Sequence, residues 1–162
     1  MIKIFNDDLT VAAFSGFVAT LIKNCVSVCF FLSGIKTHIY WQLAASVFIS
    51  QISTLTVNGI IVGFFADAAL ASFLGIIIFY VLRLTGKKHY IFKGLLGGLY
   101  IWLGITGLIS RFGISQVKSY SWSEALGFLI TDCLFSLLTI LLIIYFGKEL
   151  LPETQYPGSE EK

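Results

Sequence analysis

The sequence predicts an all-α integral membrane protein, four transmembrane helices in a bundle plus one interfacial amphipathic helix, and three observations lead there. Of 162 residues, 57% are hydrophobic and only 12% charged, with a mean hydropathy of +0.89; soluble domains carry about 25% charged residues. The apolar residues gather into runs long enough to cross a bilayer, which takes about 20 residues per helix. The basic residues divide unevenly between the two sides that four crossings define. The same balance excludes disorder, collagen and a disulfide scaffold, and a net charge of +2 gives no electrostatic footprint for nucleic acid.

Residues 1–10 read as a cytoplasmic segment, in which Asn6, Asp7, Asp8 and Thr10 are types that cap helix starts. A first span follows over about 11–32 and ends at Ser33 and Gly34. Lys3 is set against Asp7 and Asp8 and the apolar run is long, so no cleaved signal is expected and the first span is retained. Residues 41–84 are too long for one straight crossing, and Asn58-Gly59 punctuates them. Either 41–57 crosses and turns back there, giving five spans, or about 41–55 lies along the interface before one long span over 57–84. Trp41, Ala45, Phe48, Ile52 and Leu55 recur at helical spacing, with Ser46, Ser50, Gln51 and Ser53 supplying polarity. The third span covers 90–110 and is entered from Arg83, Lys87, Lys88 and Lys93. The fourth covers 124–146, after Ser121 and Glu124 at capping-box spacing, and a polar cytoplasmic tail occupies 147–162.

Charge decides between four and five crossings. With four, Lys3, Arg83, Lys87, Lys88, Lys93, Lys148 and Lys162 share the side of both termini, while Lys36, Arg111 and Lys118 lie opposite. That bias satisfies the positive-inside rule with both termini cytoplasmic, whereas five crossings split the basic residues without one. Tyr40, Trp41, Tyr90, Tyr120, Trp122 and Tyr145 then fall near interfaces, as aromatic belts do.

Three charged residues fall well inside spans: Lys23, Asp67 and Asp132. Each costs about 2.5–3.5 kcal/mol at a helix centre unless something compensates. At 1.5 Å per residue their depths from the cytoplasmic side are about 18, 15 and 18 Å, which predicts one intramembrane polar layer in which Lys23 meets one or both aspartates. Gly59, Gly63, Asp67, Ala71 and Gly75 form a small-residue stripe, and Gly16, Thr20, Lys23 and Ser27 form a similar face on the first span. Asp132, Ser136 and Thr139 do so on the fourth, and Gly94 with Gly98 and Gly104 with Gly107 give the third a close-packing edge. The Gly59/Gly63 and Gly94/Gly98 spacings serve either packing within the chain or association with a second copy.

The layer has two readings, unless the spans are misplaced and Lys23 or Asp132 snorkels to an interface. It either fixes helix register and partner choice, or it carries a proton or cation on Asp67 and Asp132. No ladder of further acids or histidines leads from it to a surface. Cys25, Cys29 and Cys133 read as packing residues, and His38 and His89 as isolated surface residues. Lys87, Lys88 and Lys93 either set topology or attract anionic lipid at about 1 kcal/mol per charge. No catalytic motif is present, so an enzyme is not expected, and neither is a cofactor or a metal. The expected partners are the lipid bilayer and a second copy or another membrane protein.

The stretch from Tyr90 to Trp102, YIFKGLLGGLYIW, resembles the corresponding stretch of small four-span membrane proteins of spore-forming bacteria, the YagU/YqhR-like group. A polar-interrupted first span, an interfacial segment and a glycine-rich third span add to the likeness. The resemblance implies a protein of the bacterial inner membrane and carries over no functional residue. The function expected is that of a structural, accessory or oligomerising helix bundle, the alternative being a small proton- or cation-linked transporter or channel subunit.

Overall fold

The computed structural model describes residues 7–108, 112 and 121–147. Expectations for Lys3, Arg111, Lys118, Tyr120, Lys148 and Lys162, for the end of the third span and for nearly all of the tail lie outside these residues. The described chain is helical, without strands.

Helix α1 (Asp8–Leu32) starts at an Asp7 cap, whose carboxylate accepts from Thr10 Oγ1 at 2.7 Å and Thr10 N at 2.9 Å. Those two bonds hold the Asp7 carboxyl below its ordinary range. Gly34, at φ 77°, turns the chain after the helix ends. A short α2 (Tyr40–Ala45) and a 3-10 turn (Gln51–Leu55) lead to α3 (Val57–Thr85), capped by Thr56 at its start and closed by Gly86 at φ 74°. Helix α4 (Tyr90–Ile101) runs into a π-helical segment (Trp102–Gly107), and α5 (Trp122–Phe146) completes the set. Three of these helices, α1, α3 and α5, are long and apolar enough to cross a membrane.

Residues 41–55 are not one amphipathic helix. The helical turn stops at Ala45 because serines capture backbone and one another: Ser46 Oγ donates to Leu43 O at 2.7 Å, and the Ser50 and Ser53 hydroxyls bond at 2.9 Å. Phe48, Ile52 and Leu55 nonetheless project outward, at 69%, 86% and 70% exposure. Asn58-Gly59 is no turn but the first turn of α3, where the absent Gly59 side chain makes room for Ser53 O and Thr54.

Helix α1 packs between α3 and α5, and α4 docks on α5, while α2 lies on α3. Arg83 pairs with Asp8, and Lys93 Nζ donates to Thr85 O at 2.9 Å and Gly86 O at 2.7 Å, which places the start of α1, the end of α3 and the start of α4 at one end. The bundle is held at its glycines. A side chain at Gly16 would meet the backbone of Ala71 and Gly75, one at Gly75 that of Ala12 and Gly16, one at Gly63 that of Trp41, and one at Gly98 that of Cys133 and Asp132. Gly94 abuts Leu137. These glycines serve approach within the chain.

Polarity is distributed opposite to that of a soluble domain. Ser15, Thr20, Lys23, Asn24, Ser27 and Asp67 are buried, whereas Phe65, Phe73, Leu84, Phe92 and Tyr145 are widely exposed. Water would penalise both halves of that arrangement, and a lipid solvent penalises neither.

Candidate functional site

Helical spacing puts Thr20, Lys23 and Asn24 on the α1 face that meets α3, and the glycine stripe of α3 presents Asp67 to them. Lys23 Nζ donates to Asp67 Oδ1 at 2.9 Å. Asp67 Oδ2 accepts from Asn24 Nδ2 at 2.7 Å and Thr20 Oγ1 at 3.1 Å. Both oxygens of the carboxylate are thus engaged, and both charged residues are about 95% buried. A buried ion pair is tolerable only when its remaining hydrogen-bonding capacity is met in this way.

Asp132 takes its hydrogen bond from Tyr40 and not from Lys23. The Tyr40 hydroxyl donates to Asp132 Oδ1 at 2.7 Å and lies 2.8 Å from Thr131 Oγ1. Its ring sits edge-on to Phe128 at 5.1 Å and carries the Lys23 ammonium 3.8 Å from its centroid. One side chain therefore stabilises a cation with its π face and an anion with its hydroxyl. Lys23, Tyr40, Asp67 and Asp132 line a common cavity of about 20 Å³, the size of one water molecule. Asp132 Oδ2 has no hydrogen-bond partner.

Two sequence placements need correction. Tyr40, expected in an aromatic belt, is 7% exposed at the centre of the site. Lys36, expected on the face opposite the termini, is 1% exposed. Its stem crosses α5 at Gly127, where an added Cβ would lie 3.1 Å from Lys36 Cγ and Cε, and its ammonium bonds Thr131 Oγ1 at 2.9 Å and Ser27 Oγ at 3.3 Å. The rings of Phe128 and Tyr40 flank it at 4.0 and 4.5 Å. Only the missing side chain at Gly127 hints at this path, and one glycine in an apolar run is too common to read as a slot.

Glu124 does more than open a helix. Half of its capping box forms, with Ser121 Oγ accepting from Glu124 N at 3.2 Å. The carboxylate itself turns to the α1–α2 connection, where Oε1 accepts from Thr37 Oγ1 at 2.8 Å, His38 N at 3.0 Å and Thr37 N at 3.2 Å. His38 Nδ1 lies 3.0 Å from the same oxygen, so His38 is not an isolated surface residue. His89 is exposed, with left-handed backbone at φ 57°. Cys25 and Cys29 are exposed on α1 and Cys133 donates weakly to Leu95 O, and among the described residues no cluster of His, Cys, Asp or Glu could hold a metal.

Lys36 stands on the connection after α1, and its pKa is pulled down from the ordinary 10.5 to about 7. Burial is the main cause; the Asp132 carboxylate opposes it, the Lys23 ammonium adds to it, and Glu124 opposes it. For a base whose native pKa lies below its unfolded value, the unfolded chain binds more protons between the two values, so stability rises with pH across that window. Unfolding midpoints at pH 7 and pH 10 should therefore show wild type gaining stability relative to Lys36→Met on going alkaline. A pH-independent difference between the two proteins would refute this titration.

Comparison with protein-family models, with curated proteins and with solved structures returns no match to this chain.

Proposed function

We propose that this is a multi-pass protein of the bacterial inner membrane that works as a structural or accessory helix bundle and not as an enzyme. In this reading α1, α3, α4 with its π-helical continuation, and α5 are the four spans. Helix α2 and the 3-10 turn lie at the non-cytoplasmic interface, and both termini are cytoplasmic. The Lys/Asp layer fixes which helices pack together and in what register, presenting the outer surface to the bilayer and to a second copy or another membrane protein.

The observation that carries this reading is the closure of the Lys23–Asp67 pair. Both carboxylate oxygens are engaged, both charged residues are about 95% buried, and the cavity they share with Asp132 has room for one water; the larger pocket of about 320 Å³ that also reaches Asp67 is otherwise lined by apolar side chains, Tyr40 and Thr106, with no second charged group to relay to. A site that moves charge needs a route and an alternative arrangement, and a carboxylate bonded at both oxygens resists the second.

One observation favours a second reading, a small proton- or cation-linked transporter or channel subunit using Asp67 and Asp132: Asp132 Oδ2 is buried beside that cavity without a partner. Flux in liposomes separates the two. The packing reading expects proteoliposomes to hold a proton or monovalent-cation gradient as well as protein-free vesicles do, with Asp132→Asn folding and behaving identically. Flux that disappears in a folded Asp132→Asn variant would overturn the packing reading in favour of transport.

A further inference from the structure

Helices α3 and α4 are consecutive, yet α3 packs on α1 and α4 on α5, and a groove of about 490 Å³ opens between them. One wall runs along α3 from Leu74 to Thr85, and the other along α4 from Lys93 through Gly104 and Ile105 of the π-helical segment. Ser136 and Ile140 of α5 lie at its base. Ile77, Val81 and Tyr100 on its walls are 44%, 47% and 64% exposed.

Three features identify what covers this groove. From Lys93 to Ile105 it extends about 18 Å at the rise of a helix, close to one leaflet's share, about 15 Å, of the hydrocarbon core. Its cytoplasmic mouth is basic. Lys93 lines the groove there and uses two of its ammonium's three hydrogens on the Thr85 and Gly86 carbonyls, and Lys87 and Lys88 stand on the connection just before α4. Below Lys93 the lining side chains are apolar except for Tyr100 and Ser136, and the Ser136 hydroxyl is fully buried against the bare backbone of Gly97. That is the order of groups down an anionic lipid, a headgroup phosphate and then an alkyl chain. A second copy of the chain is a poorer occupant, because the glycines that permit close helix approach, Gly59, Gly63, Gly75, Gly94 and Gly98, are spent inside the bundle.

We infer that the α3–α4 groove binds one acyl chain of an anionic glycerophospholipid from the cytoplasmic leaflet, with its phosphate on Lys93. This rests on the membrane reading above.

The test is native mass spectrometry of the full-length protein, purified from membranes in detergent and loaded with phosphatidylglycerol or phosphatidylcholine. Wild type should retain one phosphatidylglycerol per chain in clear preference to phosphatidylcholine. Gly104→Leu fills the groove from a position where an added Cβ meets nothing within 4 Å, and it should abolish retention without lowering the melting temperature. Lys93→Gln should reduce the preference by about fivefold, the effect of one basic residue at an anionic surface. Equal retention of both lipids by wild type, or unchanged retention in Gly104→Leu, would overturn the inference. So would a dimer that Gly104→Leu converts to monomer, since a second copy would then hold the groove. Recovery of the chain outside the membrane fraction would instead defeat the membrane reading itself.

Discussion

Lys23→Met alone is expected to destabilise the protein by about 3–5 kcal/mol, because it leaves the Asp67 carboxylate buried without its counter-ion. The methionine keeps most of the lysine's volume, so packing changes little. Thr20 and Asn24 still donate to Asp67 Oδ2, but neither carries charge. Adding Asp67→Asn removes the orphaned charge while keeping an oxygen to accept from those donors, and the double variant should return to within about 1 kcal/mol of wild type, near the cost of an ordinary hydrogen bond. Asp132→Asn in the same background should rescue less, since the hydrogen bond to Asp132 comes from Tyr40 and not from Lys23. Unfolding by a rising fraction of denaturing detergent in mixed micelles gives all four free energies. Equal rescue by both aspartate substitutions would mean that the layer responds only to net charge and that the Lys23–Asp67 geometry is immaterial. A cycle with no coupling at all would remove the pair from any account of how the bundle holds together.

This partner choice was only half legible in the sequence. Lys23, Asp67 and Asp132 announced themselves because charge inside an apolar run is costly wherever the run is placed, and helical rise alone put them at similar depth. Which aspartate Lys23 meets depends on how α1 rotates against α3 and α5, and periodicity does not report that. Tyr40 and Lys36 were misplaced for a related reason. Both lie near the ends of predicted spans, where aromatic and basic residues are ordinary, so nothing local separates an anchor facing lipid from a side chain folded back into the bundle. Glu124 matched a helix start so well that its second use, holding Thr37 and His38, was hidden. The interfacial segment failed at Ser46, Ser50 and Ser53, whose hydroxyls break the helix that the apolar spacing alone would support. The glycines were legible as places of close approach, and only the coordinates assign each one its neighbour.

Those neighbours link the packing to the charge. Gly16→Val is expected to cost about 3–5 kcal/mol, more than the roughly 1–3 kcal/mol usual for overpacking. An added Cβ at Gly16 meets the Ala71 carbonyl and lies 3.1 Å from Gly75 Cα, and this is backbone that cannot rotate away. Helices α1 and α3 must therefore separate. Lys23 stands two turns further along the same face, about 10 Å away, and a helix that moves as a unit carries the separation there. Hydrogen bonds of 2.7–3.1 Å from Lys23, Asn24 and Thr20 to Asp67 have little slack, and a buried carboxylate losing them loses far more than a surface one. The excess cost should consequently depend on the charge. In the Lys23→Met/Asp67→Asn background, where no ion pair is left to pull apart, Gly16→Val should cost only the overpacking share, about 1–3 kcal/mol. The same micelle titration measures both backgrounds. An identical cost in the two would make the glycine contact and the polar layer independent, and close approach at Gly16 would then have no part in sealing Lys23 against Asp67.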